Sequence, residues 1–337
     1  MSIDYKKLDQ VCEILDSRRI PITASNRKSG IYPYFGANGL QDYVDDYIFD
    51  DELVLLAEDG GNFGSKDRPI AYRVSGKCWV NNHAHVLKAK DEINIDYLCY
   101  SLMFYNTNGL VNGATRQKLT QAAMRQMLIP VRSMPEQLQI VKRIRSIFDL
   151  INDRTSELLL LDQLVKSRFI EMFGDPIKNS NGRSTTEFIN VVKMQRGFDL
   201  PVQDRVQNGK IPVFGSNGAL DRHNVAKVFG GGVITGRSGT IGKVYYTEGD
   251  YWPLNTSLFS VDTHGNNIIY LAHLLQLFDL SRFTEGTGVP TLNRNKFHNQ
   301  QIIDVPLAEQ EEFAAFVEHI DKSKYHGEIT CETEVAA

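Results

Sequence analysis

The sequence predicts an α+β protein: two tandem β-rich units separated by a long α-helical coiled-coil spacer, with a second, shortened spacer helix at the end. Three observations carry this prediction. The turn-rich stretch YPYFGANGL at 32–40 returns as IPVFGSNGA at 211–219. At an offset of 173, twelve of the 59 positions from 79 to 137 are identical without a gap, among them Trp79 with Trp252, Tyr97 with Tyr270 and Gln137 with Gln310; typical composition gives roughly three or four by chance. Between the copies, apolar residues step by four and three in alternation, the seam of a coiled coil.

Each copy opens with β-type sequence. YIFDDELVLLAEDG and IAYRVSGKCWVNNHAHVLKA in the first, and KVFGGGVITGRSGTIGKVYYTEGDYW in the second, set β-branched and aromatic residues between Gly and Asp breaks. The offset grows upstream, to 178 for GGNFG against SGTIG and 179 for the opening motif, as loop insertions allow. DYLCYSLMFY and NIIYLAHLLQLF then read as helices. A short helix follows in each copy, capped by Thr120 or Asn293, and an extended segment leads to Glu136 and Gln137 or to Glu309 and Gln310. The seam comprises Ile140, Ile144, Ile147, Ile151, Leu158, Leu161, Val165 and Met172, interrupted by Arg154 and Arg168. Gly174, Asp175 and Pro176 stop this helix. The helix after the second Glu-Gln pair is expected to end near Lys324. The predicted division is therefore 1–134, a spacer at 135–176, 177–308, a short helix at 309–325 and a polar tail at 326–337.

Bulk properties bound the function. The 337 residues suffice for two domains, and 42% hydrophobic with 23% charged residues is ordinary for a globular chain. A net charge of −4 announces no polyanion binder, although a local basic stripe is enough for DNA. The N-terminus lacks a signal-peptide pattern and no run of 18 apolar residues occurs, so neither export nor a membrane span is expected. Cys12, Cys78, Cys99 and Cys331 are scattered without a C-x-x-C pair, which fits a reducing, cytoplasmic setting rather than a zinc or disulfide framework.

Several motifs taken together resemble the specificity (S) subunit of type I restriction-modification enzymes. They are IPVRSMPEQLQIVKRI and IIDVPLAEQEEFAAFV after the two copies, TGRSGTIGKV at 235–244 with Trp252, Asn255 and Thr256 beyond it, and LDQLVKSRFIEMFGDP at 161–176. The resemblance covers nearly the whole chain. It implies two target-recognition domains, each reading one half of a split double-stranded DNA site. It implies that methyltransferase (M) subunits dock on the spacer, with a motor-nuclease (R) subunit completing the assembly. The chain itself is then non-catalytic and binds no cofactor, S-adenosylmethionine being used by the partner methyltransferase. The family usually carries two long helices packed antiparallel, so the shortened second helix is a departure, and self-association through an unpaired seam follows from it as an alternative.

Residue types suited to DNA cluster in matching loops. Lys66 and Arg68 follow the glycine loop of the first copy; Arg237, Ser238 and Lys243 occupy that of the second. Arg116, Gln117 and Lys118 lead into one short helix, and Arg294 and Lys296 lie in the other. Arg and Gln read base edges bidentately, while Lys more often pairs with phosphate. Rival readings are weaker. GRSGTIG lacks the G-K-[ST] ending of a phosphate-binding loop. His83 and His85 lie at strand spacing, but the second copy places Thr256 and Leu258 there, so packing or polar contacts are expected and no metal. The chain also lacks the N-P-P-[YF] or D-P-P-Y stretch expected of the methyltransferase itself. A non-catalytic protein-binding scaffold that oligomerises through the coiled coil is the alternative function.

Overall fold

The computed structural model describes residues 3–113, 116–286 and 290–335, with side chains as far as Lys324. The chain divides into two units, Met1–Asn152 and Asp153–Ala337. The boundary falls inside the long helix, so the separate spacer domain expected at 135–176 is shared between them.

The first unit runs β1 (Asp4–Lys7), α1 (Leu8–Val11), β2 (Cys12–Ile14), β3 (Ser29–Gly36), β4 (Gly39–Val44), β5 (Phe49–Ala57), β6 (Ala71–Val80) and β7 (Ala84–Ala89). It continues with α2 (Ile95–Met103), β8 (Val111–Asn112), β9 (Lys118–Leu119), α3 (Gln121–Arg125), β10 (Leu128–Val131) and α4 (Met134–Phe173). The second unit runs β11 (Thr185–Glu187), α5 (Phe188–Val191), β12 (Lys193–Arg196), β13 (Ile211–Gly215), β14 (Gly218–His223), β15 (Gly232–Gly236), β16 (Val244–Thr247), β17 (Trp252–Pro253) and β18 (Ser257–Asp262). It continues with α6 (Ile268–Phe278), β19 (Thr284–Glu285), β20 (Thr291–Leu292), β21 (Gln301–Ile303) and α7 (Leu307–Val335).

The strand pairings repeat between units. β1 pairs with β10 as β11 pairs with β21, and β7 lies between β2 and β5 as β18 lies between β12 and β15. Even the parallel contact recurs: Tyr34 opposite Trp79, and Val213 opposite Trp252. One difference is instructive. In the first unit β6 is a single ten-residue strand within a six-stranded sheet ordered β2-β7-β5-β6-β3-β4. In the second its counterpart breaks at Glu248, Gly249 and Asp250 into β16 and β17, so the sheet separates into four- and three-stranded pieces. Glycine and aspartate are poor strand residues, which places the break.

Both faces of β5 are covered. Val54 and Leu56 join the core that includes α2, while Phe49, Leu53 and Leu55 join a second core on the opposite face. That is why Leu53–Ala57 reads as an unbroken apolar run rather than an alternation. Trp79 and Trp252 are both buried.

The Glu-Gln pairs have a structural explanation. Asn94 caps α2 by accepting from the Asp96 and Tyr97 amides, and Asn267 caps α6 by accepting from Ile269 and Tyr270. Buried Gln137 then accepts from the Asn94 amide at 2.7 Å and donates to the Glu92 and Arg132 carbonyls. Gln310 does the same in the second unit, accepting from Asn267 at 2.9 Å and donating to the Val305 carbonyl and the Asn266 side chain. Gln137 ties the start of α4 to the cap of α2, and Gln310 ties the start of α7 to the cap of α6.

α4 holds 40 residues, about 60 Å at 1.5 Å per residue. Gly174, at φ +83°, ends it, and a side chain there would collide with Ser180 and Asn181. The buried positions differ from the predicted seam. At its start Gln137 and Val141 are buried and Ile140 packs against the first core; at its end Val165, Phe169 and Phe173 are buried, stepping by four. Leu161 and Met172 are partly buried beside them. Ile144 and Leu158 are partly exposed, and Ile147 and Ile151 are exposed. Each end of the helix turns to the core of its own unit, so no single stripe is buried throughout.

Within the second unit α7 runs antiparallel to α4: Phe313 packs edge-on to Phe169, Lys324 pairs with Asp162, and Arg154 donates to the Lys324 carbonyl. The expected end near 325 and polar tail at 326–337 are corrected. α7 extends to Val335, because no proline intervenes and each added residue gains a backbone hydrogen bond. Ala336, Ala337 and the Cys331 side chain lie outside the described residues.

Candidate nucleic-acid interface

The glycine loop of the second unit leaves the end of β15. The Arg237 and Ser238 amides donate to the Thr256 carbonyl, and the Leu292 amide donates to the Arg237 carbonyl at 2.7 Å. These bonds bring the loop beside β20 and the turn after it, so residues 57 apart in sequence share one pocket. Gly236 is obligatory here, since a Cβ would lie 1.7 Å from the Thr240 carbonyl oxygen.

A pocket of about 380 Å³ opens at this place, lined by Arg196, Arg237, Arg294 and Glu285 over Leu258 and Leu292. Arg237 donates through Nε to the Asn255 carbonyl at 2.8 Å. Burial, together with the nearby charge of Arg196, disfavours the cationic form of Arg237 and lowers its pKa. Glu285 pairs with Lys296 at 2.9 Å.

The first unit builds the same place differently. The Glu58 and Asp59 amides donate to the His83 carbonyl, and the Leu119 amide donates to the Glu58 carbonyl. This is the hydrogen-bond pattern of Arg237, Ser238 and Leu292. The register thus sets Glu58 opposite Arg237 and Asp59 opposite Ser238, an offset of 179 where the glycines had suggested 178. By the same register Asp16 answers to Arg196, His85 to Leu258 and Gln121 to Arg294.

These four residues form a closed polar network. His85 is fully buried; Nδ1 faces Asp16 Oδ2 at 2.7 Å and Nε2 faces the Leu119 carbonyl at 2.9 Å. Gln121 donates to Asp16 Oδ2 at 2.9 Å, and Arg19 pairs with Glu58 at 2.7 Å. Burial would raise the Asp16 carboxyl, but His85, Gln121 and the Val86 amide outweigh it and hold its pKa below the usual range. Asp16, Glu58 and His85 bring ligand atoms within 4.8 Å of one another, a spacing a metal could use. Their lone pairs are already committed to Arg19, Gln121 and one another, so the arrangement is that of an ion-pair network.

The sequence-predicted residues fall into distinct places. Arg237 and Arg294 share the pocket; Ser238 forms a bridge with Thr291 at its edge. Lys296 is held by Glu285, and exposed Lys243 lies outside the pocket lining. Arg116 pairs with Asp59 at 2.6 Å, Lys118 pairs with Glu58 at 3.2 Å, and Gln117 between them is exposed. Lys66 and Arg68 sit on an exposed loop; Lys66 borders a separate pocket beside Met103 and Thr107. Arg196, Asp16 and Glu58 escaped the sequence reading. Carrying the repeat upstream at an offset of 180 would have paired Asp16 with Arg196 and exposed the contrast.

A family model, the type I restriction modification DNA specificity domain, matches residues 2–160 and again 183–331. The chain belongs to this family. Its relatives include a Haemophilus influenzae protein named as a type I restriction enzyme specificity subunit, 26% identical over 95% of this chain and 88% of that protein. A Mycoplasma pneumoniae protein named as a type I specificity subunit is 24% identical over 94% and 88%. Among solved structures, the S subunit of M. genitalium covers 100% of this chain and 94% of its own, with a TM-score of 0.63 at 12% identity. A structure concerned with complex assembly and conformational transition of the type I R-M system covers 99% and 94%, with a TM-score of 0.57 at 14% identity. The specificity-subunit family therefore accounts for both units. Among the described residues no helix is long and apolar enough to cross a membrane.

Proposed function

We propose that this specificity subunit reads a bipartite site on double-stranded DNA, one half with each unit. One observation carries the reading: the DNA specificity model matches each unit separately, and the two units share strand order and pairing. Two readers of one topology with different loops suit two half-sites of different sequence. The basic residues of both glycine loops, of the segment leading into β9 and of the turn after β20 then face DNA, with Gln117 toward base edges and lysines toward phosphate.

In this reading α4 sets the nonspecific gap, and its exposed apolar residues, Ile147 and Ile151 among them, together with α7 receive methyltransferase subunits in coiled-coil fashion. Those subunits extrude an adenine and methylate it from S-adenosylmethionine; a motor-nuclease subunit joins them for restriction. The chain contributes recognition and acts in the cytoplasm.

The test is to co-express the chain with its methyltransferase and map methylated adenines across the genome. A split motif with a constant gap is expected. A continuous motif, or DNA binding by the complex that is indifferent to salt, would overturn the reading.

A further inference from the structure

The two units carry the same four positions with opposite chemistry. Asp16, Glu58, His85 and Gln121 in the first satisfy one another; Arg196, Arg237, Leu258 and Arg294 in the second do not. Among the described residues the guanidinium groups of Arg196 and Arg294 have neither an ion-pair nor a hydrogen-bond partner. Among the described residues Arg237 commits only Nε, and Glu285, the one carboxylate they bring to the lining, is engaged by Lys296.

We infer that this arginine pocket of the second unit is a built seat for a single backbone phosphate of the bound DNA, and that the first unit has no such seat. The inference rests on the DNA-reading function proposed above and adds Arg196 to it. Three cations around one cavity repel one another. A phosphodiester anion lowers that repulsion, and guanidinium forks match phosphate oxygens bidentately. Thr291, Asn293 and Asn295 complete the lining beside Leu258 and Leu292, and the three guanidinium groups give it its charge, which suits a backbone phosphate. In the first unit the corresponding carboxylates have already taken the local cations: Arg19 and Lys118 are held by Glu58, and Arg116 by Asp59. The pKa of Arg237, lowered first by burial and then by Arg196, agrees with a site that gains from an anion.

The experiment uses the full chain assembled with its methyltransferase subunits. Affinity for a duplex carrying the methylation motif, and for an unrelated duplex of equal length, is measured against salt concentration. Arg196→Gln should weaken both by a similar factor, about tenfold, and make the logarithmic salt slope shallower by about 0.9. The methylation motif should stay unchanged, and Arg196→Lys should recover most of the slope. Arg294→Gln serves as the second variant if the first fails to assemble. Lys178→Gln removes one charge outside the pocket and should leave the slope unaltered. An unchanged slope in both arginine variants overturns the inference, as does an equal change in the lysine variant. A loss confined to the cognate duplex, with relaxed choice at one base pair, overturns it in favour of base reading. If the unaltered complex binds no DNA, it is the proposed function that fails instead.

Discussion

At the scale of single residues, Asp16 is the clearest case of local chemistry deciding structure. Its carboxylate joins His85, Gln121 and the Val86 amide, which lie 69, 105 and 70 residues away in sequence. Because its folded pKa is held below the unfolded value, its contribution is fully present above the unfolded pKa of about 3.9 and is lost as pH falls through the folded value. Asp16→Asn takes the carboxylate away from His85 and Arg19 in a buried site. We expect it to cost about 3 kcal/mol at neutral pH, read as a lower Tm, with the gap to the parent protein narrowing below pH of about 4. A constant gap from pH 7 to pH 3 would remove Asp16 from this role. Cys12, Cys78 and Cys99 show the opposite case. Burial pushes each thiol up to about 12, so these are packing residues rather than nucleophiles.

Among the elements, the repeated glutamine explains a motif that sequence comparison can only register. Gln137 and Gln310 each make three hydrogen bonds from a buried side chain. Gln310→Ala strands the Asn267 amide and the Val305 carbonyl, and should cost about 2 kcal/mol in urea unfolding. Asn267→Ala, which removes only the cap of α6, should cost about 1 kcal/mol. Reversal of that order would contradict the view that the glutamine is the stronger tie. The strands and helices read from the sequence were legible because turn residues punctuate them and, at α3, the Thr120 cap marks the start. The break between β16 and β17 was not, since one glycine and two acids in a strand-like run do not say whether tertiary pairing will bridge them.

For the molecule as a whole, two units of one topology on one chain predict separable reading. Replacing 1–131 with the first recognition domain of another specificity subunit should change one half of the methylated motif and leave the other half intact. Motif mapping after the exchange checks this; changes in both halves would deny that the units read independently. The sequence by itself determined the duplication, the long helix and the family, because these reside in local periodicity and in identities between the copies. The tertiary structure decided which positions of α4 are buried, that α7 continues to Val335, and that Arg196 joins Arg237 and Arg294 while Asp16 joins His85. Those pairings depend on β-ladder register between distant strands, and no local pattern of residues encodes which long-range neighbours a register brings together.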